Sequence, residues 1–189
     1  MSTTGWIIVG LAIVIVAVVG LVAASRVASS RRRTHLQDRF GPEYDRAVGE
    51  AGSRSVAEDE LADRERRHSE LELKPLSEAS RTRYLEEWQG VQQRFVDDPE
   101  NAATQAERLV HRVMIDRGYP ADQGRSASAD AVSVDHPDVV ERYRQGCTAL
   151  EARSDGDESR TENLRTAMVD FRTVFESLLE PDRELSEAR

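Results

Sequence analysis

Nineteen consecutive residues, Trp6 to Ala24, carry no charge, and they constrain this chain more than any other feature. The run holds one Trp, four Ile, six Val, two Leu, four Ala and two Gly. Wound into a helix at about 1.5 Å per residue it covers roughly 28 Å, close to the ~30 Å hydrocarbon core of a bilayer. Its Leu, Ile and Val residues, at about −0.3 to −0.6 kcal/mol each, favour insertion by roughly 4 to 7 kcal/mol. A buried strand is the competing reading of so many β-branched residues, but strands seldom exceed about ten residues. A transmembrane helix is therefore expected, with residues 1–25 as the anchor.

A cleaved signal peptide needs a basic leading segment and a shorter apolar stretch. Met1 to Gly5 has neither Lys nor Arg, so cleavage is not the expected fate, although Val22-Ala23-Ala24-Ser25 offers a cuttable sequence. Arg26, Arg31, Arg32 and Arg33 crowd the C-terminal flank. Basic residues stay on the cytoplasmic side, so the N-terminus is expected outside and the large domain in the cytosol. Trp6 then sits at the outer interface, where indoles favour the headgroup region. The same arginines, in a collar over 26–41, would attract anionic lipid. Gly20 and Ala24 form a small-x-x-x-small pair through which two such helices could pack.

Beyond the anchor the charge changes sign. Residues 26–40 hold five Arg against one Asp, whereas residues 41–189 hold 21 basic against 34 acidic side chains, a balance of −13. That balance disfavours nucleic acid. A single cysteine, Cys147, excludes a disulfide-stapled module and a cysteine-based zinc site.

The soluble part reads as helices. Gly41-Pro42 breaks the chain, and Tyr44, Ala47, Val48 and Ala51 mark a short amphipathic helix. Ser55 and Glu58 form a capping-box pattern opening a helix to about Leu71. Its apolar face (Val56, Leu61, Leu71) is thin and the rest is charge-laced, so 42–74 is read as a short helix and a charged arm, a bundle helix being the alternative. After Pro75, Ser77 can cap a helix with Tyr84, Trp88, Val91 and Phe95 on one stripe. Asp98-Pro99 supplies a cap and first-turn proline for the next, which bears Ala102, Ala106, Leu109 and Val113 and stops at Gly118. Residues 120–134 show no period and are expected to form a loop. Asp135-His136-Pro137 opens a helix carrying Val140, Tyr143 and Cys147, and a Ser159/Glu162 pattern opens one with Leu164, Met168, Phe171 and Phe175. The expected fold is all-α: one N-terminal transmembrane helix, the arm, an antiparallel bundle of about four amphipathic helices over 75–180, and a polar tail at 181–189.

The stretches Arg39-Phe40-Gly41-Pro42-Glu43-Tyr44-Asp45, Arg94-Phe95-Val96-Asp97-Asp98-Pro99, Asp116-Arg117-Gly118-Tyr119-Pro120, Ser133-Val134-Asp135-His136-Pro137 and Thr161-Glu162-Asn163-Leu164-Arg165 occur in an order that resembles a family of short actinobacterial proteins. These have one N-terminal hydrophobic helix and are described as secreted or membrane proteins. The resemblance spans nearly the whole chain; it implies the anchored helical architecture and brings no catalytic residue with it. Twenty-five Arg against one Lys (Lys74) agrees with a GC-rich genome.

Motifs that carry chemistry are sparse. No phosphate-cradling glycine loop, Gly-x-Ser-x-Gly or His-Glu-x-x-His is present. His35, His68, His111 and His136 are far apart in sequence, none paired at i, i+4 as a helical metal site requires. Cys147 lies on an apolar face, as a small buried side chain does. Asp155-Gly156-Asp157-Glu158 lacks the alternating ligands of a calcium loop. The weak candidate is Asp135 with His136, a carboxylate beside an imidazole, although capping of the helix that follows is the expected role of the pair. No cofactor or metal is expected.

The expectation is a non-enzymatic, single-pass membrane protein whose cytoplasmic helical domain docks another protein, with self-association as a subsidiary role. A secreted or surface-tethered envelope protein is the first alternative. A small-molecule or catalytic role around His136 and Tyr143 is the second.

Overall fold

The computed structural model describes residues 20–21, 25–152 and 157–180. Among them every regular element is helical and the protein is all-α. No helix of the described residues is long and apolar enough to cross a membrane, and the expected span from Trp6 to Ala24 falls almost wholly outside them. Trp6, Ala24 and the tail 181–189 likewise lie outside the described residues.

Two compact units divide at residue 39. Helix α1 spans residues 25–40, all but its last residue in the first unit, with Arg26, Arg31, Arg32 and Arg33 all exposed. The second begins at Phe40 and holds α2 (Pro42–Ala51), α3 (Arg54–Ser69), α4 (Glu78–Arg94), α5 (Pro99–Arg117), α6 (Arg125–Asp135), α7 (Pro137–Glu151) and α8 (Asp157–Leu179).

The core forms around α5, which packs against α4, α7 and α8. Ala102, Ala106, Leu109, Val110 and Val113 are fully buried along it, so small residues near its start let neighbours approach and larger ones fill the far end. Across it, Trp88 of α4 stacks on Phe175 of α8 with ring centroids 4.7 Å apart. The start of α5 is set as its sequence predicts. Asp98 accepts from the Asn101 amide at 3.2 Å, Pro99 takes the first turn, and the Asp98 amide itself donates to Arg94 O at 2.9 Å, which makes the α4–α5 corner tight. Ser77 caps α4 in the same way.

The end of α5 depends on glycine twice. Gly118 has φ +93°, and a Cβ there would stand 2.5 Å from the Glu72 carbonyl oxygen of the extended segment that crosses the helix end. The crossing is held by the Lys74 amide donating to Arg117 O at 2.9 Å. Arg117, only 1% exposed, turns inward and donates to Leu178 O at 2.9 Å, satisfying a carbonyl in the last turn of α8.

Three expectations are corrected. Residues 120–134 are not a loop: a 3₁₀ turn at Ala121–Gln123 leads into α6. Its buried face mixes Ala129, Val132 and Val134 with Ser128 and Ser133. Both hydroxyls bond back to the helix, to Gly124 O at 3.1 Å and Asp130 O at 2.7 Å, so serine serves as a small inward residue and hides the helical period. The Ser55/Glu58 capping box does not form, because Ser55 lies inside α3 and the Glu58 carboxylate accepts instead from Tyr44 Oη at 2.7 Å. The Ser159/Glu162 pattern likewise falls inside α8, which starts at Asp157.

Helix α3 packs against α2 and α6 through a face that is half polar: Ala57 and Leu61 beside Glu58 and Arg64, with Val56 left exposed. The thin apolar stripe that suggests a free arm is completed by charged side chains that find partners on neighbouring helices.

Candidate functional site

Asp135 and His136 are adjacent in sequence, yet their side chains serve different helices. Asp135 ends α6, and its Oδ2 lies 2.6 Å from His68 Nε2 of α3 and accepts from Tyr119 Oη at 2.8 Å. Burial alone would raise its pKa, but the hydrogen bond and charge of His68, aided by Tyr119 and His136, hold it below the usual carboxylate range. His136 occupies the N-cap position of α7 without a side-chain cap, and its Nδ1 sits 2.9 Å from Ser177 Oγ on α8. The two side chains thus act as two clips: one fastens α3 to the α6 end, the other fastens the α6–α7 junction to α8.

Beside the first clip a groove of about 610 Å³ opens between α3 and α6. Arg64, on its wall, belongs to a buried ionic hub. Its Nη1 donates to Glu43 Oε1 at 2.8 Å, and its Nη2 lies 3.2 Å from Asp130 Oδ1 and also pairs with Glu60. Glu43, on α2 and with its side chain 1% exposed, accepts as well from Arg46 and from both Nη atoms of Arg144, at 2.8 and 2.9 Å. Burial would push the Glu43 carboxyl up, but the hydrogen bonds and charges of Arg46 and Arg144 bring it down to about 2. One carboxylate thereby ties α2 to α3 and α7. Asp130 moves the other way, raised by burial more than Arg64 and Arg144 lower it.

Nucleophilic chemistry has little support here. Cys147 is buried, and burial pushes its thiol up to about 11, so it is a thiol at neutral pH. Tyr143, the other core residue of interest, is raised beyond its ordinary value by burial and by the neighbouring Cys147 and Glu107. Among the described residues no group of three His, Cys, Asp or Glu side chains is placed to hold a metal.

A further open feature is a groove of about 680 Å³ along the α4–α5 hairpin. Polar crossbars join its two helices: Arg83 to Asp116 at 3.6 Å, Glu87 to Arg112, and Arg94 to Gln105. Tyr84 Oη donates to Asp116 at 2.6 Å, and burial together with that carboxylate pushes its pKa up to about 12. Between the crossbars the α4 wall consists of Gly90 and Val91, so no polar side chain of α4 stands there. Across from it, exposed Arg108 and half-buried His111 have no hydrogen bond or ion pair among the described residues.

Compared with known protein families, with curated proteins and with solved structures, the chain matches none.

Of the residues singled out in sequence, Asp135 and His136 are brought into a packed junction, Arg26 and Arg31 to Arg33 are exposed on α1, and Gly20 is exposed. Sequence reasoning missed Glu43, Arg64 and Arg144, and gave His68 no partner. One signal for Glu43 was present: it stands four residues before Ala47 and next to Tyr44, on the buried side of α2. Arg64 and Arg144 carry no such mark, since arginines on charged helices ordinarily face water.

Proposed function

We propose that this chain is a single-pass, membrane-anchored interaction protein without catalytic activity, whose helical domain lies on the cytoplasmic side and docks another protein. The apolar run Trp6–Ala24 and the Arg26–Arg33 collar support the anchor and its orientation. The resemblance to short actinobacterial proteins with one N-terminal helix agrees with it. The four amphipathic helices α4, α5, α7 and α8 would form the bundle that presents the docking face.

One observation carries the docking role. The groups that look reactive, Asp135, His136 and Glu43, are engaged between helices, whereas Arg108 and His111 line an open groove without partners. An unpaired guanidinium beside a gap is a feature of a recognition surface rather than of a core.

Two measurements test the proposal. Fusion of a compartment-specific reporter to the C-terminus is expected to report the cytosol; activity on the outer side would place the domain outside, as a surface-tethered protein. Photo-crosslinkers placed around the helical domain in native membranes are expected to give a discrete partner band, and absence of any band at every position would reject docking.

A further inference from the structure

Resting on that docking role, we propose that the α4–α5 groove receives a carboxylate-bearing segment of a protein partner, its acidic side chain entering the gap at Gly90 to pair with Arg108.

The register of the hairpin makes the gap specific. Arg94 faces Gln105 near the corner, and Glu87 faces Arg112 two turns away. Gly90 lies between Glu87 and Arg94, and Arg108 lies between Gln105 and Arg112, so the two occupy the same level. The flanking levels are bridged by polar pairs, whereas at this one α4 offers Gly90 and the apolar Val91, with no acidic side chain to face Arg108.

The fold does not require that glycine. Gly90 has no positive φ, and a Cβ built on it would meet nothing nearer than Arg94 Nη2 at 3.7 Å. Mid-helix glycine lowers helix stability relative to alanine, so the position is suboptimal for α4 and leaves space beside the exposed Arg108.

Charge selects the occupant. Residues 41–189 carry a balance of −13, yet this groove sets Arg94, Arg108 and Arg112 against Glu86 and Glu87. A carboxylate presented by a folded or helical segment satisfies Arg108 in bidentate fashion. Glu87 is already paired with Arg112, and the balance of −13 over residues 41–189 disfavours a continuous phosphate backbone, which leaves a single acidic side chain of a protein segment as the occupant.

The test uses the full-length chain in detergent micelles and a fluorescein-labelled helical peptide of Glu, Leu and Ala, with a Lys-for-Glu counterpart as control. Fluorescence polarisation is expected to show saturable binding of the Glu peptide and none of the Lys peptide. Arg108→Glu is expected to weaken it about tenfold or more. Gly90→Glu, which supplies the carboxylate from within, is expected to do the same. Gly90→Ala is expected to reduce binding while raising Tm by about 1–4 °C, separating groove filling from unfolding. Equal binding of both peptides, or wild-type binding by Arg108→Glu and Gly90→Glu, overturns the proposal. So does self-association, or adsorption to phosphatidylglycerol vesicles, that Arg108→Glu abolishes, since the occupant is then a second copy or a membrane. A photo-crosslinker at Glu86 is expected to capture an acidic partner segment in native membranes. Capture only from other faces removes this groove and leaves docking standing, whereas capture from none removes both.

Discussion

His68 and Asp135 stand 67 residues apart in sequence and 2.6 Å apart in space, and their contact fastens the last turn of α3 to the end of α6. Both side chains are mostly shielded, at 12% and 18% exposure, so the contact is weakly screened by solvent. His68→Ala is expected to destabilise the protein by about 1–3 kcal/mol, because it leaves a shielded carboxylate with one partner fewer. The pH dependence has a definite sign. Asp135 titrates below its ordinary value of 3.8 in the folded protein, so its stabilisation is present above that value and is lost as pH falls through the folded one. Asp135→Asn is expected to flatten the stability profile below about pH 4, measured by urea unfolding followed by circular dichroism.

Glu43 makes a sharper case, with one buried carboxylate facing the guanidiniums of Arg46, Arg64 and Arg144. Glu43→Ala would leave three cations together with their shared counter-ion gone. The expected loss is about 3–5 kcal/mol, the usual cost of breaking a buried pair from one side. Since its carboxyl titrates at about 2 rather than 4.5, the stabilisation is complete above roughly pH 4.5 and disappears towards pH 2. Comparison of wild type and Glu43→Gln by urea unfolding at pH 7 and pH 3 checks both size and direction. A difference that does not shrink at pH 3 would assign the effect to shape rather than charge.

How these two clusters escaped sequence reasoning is instructive about what a pattern can carry. Helices α4, α5, α7 and α8 announce themselves through apolar side chains at 3–4 spacing, and Ser77 and Asp98 announce their starts, because each signal is local. The α3 contacts are polar and distant: Arg64 meets residues of α2 and α6, and His68 meets Asp135. No local pattern distinguishes an arginine paired across the fold from one in water. Helix α6 was hidden for a different reason, since inward serines bonded to their own backbone do not register as apolar. The α4–α5 groove is visible in sequence only as Gly90, whose meaning needs Arg108 opposite it.

Asp170 is a buried charge whose neutralisation should help. It is 2% exposed on α8, its Oδ1 lies 3.3 Å from the exposed Arg142, and its Oδ2 has no hydrogen-bond partner. Burial raises its pKa more than Arg142 lowers it. The folded state therefore takes up a proton more readily than the unfolded chain, so this residue opposes folding at neutral pH and ceases to as pH falls through the raised value. Asp170→Asn removes the desolvated charge and is expected to stabilise the protein by about 1 kcal/mol at pH 7. The gain should vanish on acidification toward pH 4. Thermal unfolding of both proteins across pH 4–8 measures it, and a variant less stable at every pH would show that the Arg142 pair outweighs desolvation.

Two helical glycines predict opposite outcomes for the same substitution. At Gly146 of α7 a Cβ would lie 2.9 Å from Phe171 Cε1 and 3.3 Å from Asp170 Cβ, both on α8. The α7–α8 approach is close because that side chain is missing, and Phe171 is fully buried with little room to turn aside. Gly146→Ala gains helix propensity of about 0.5–1 kcal/mol but incurs overpacking of about 1–3 kcal/mol, so the net change is expected to be destabilising. At Gly90 of α4 the propensity gain stands alone, because the nearest atom is the flexible end of Arg94, and Gly90→Ala is expected to stabilise by about 0.5–1 kcal/mol. Parallel thermal melts of the two variants decide the matter. Equal shifts of the same sign would mean that neither the tight contact with Phe171 nor the open space above Arg94 governs these positions. A drop at 146 with a rise at 90 would show that the first glycine serves packing and that the second serves no stabilising role in α4.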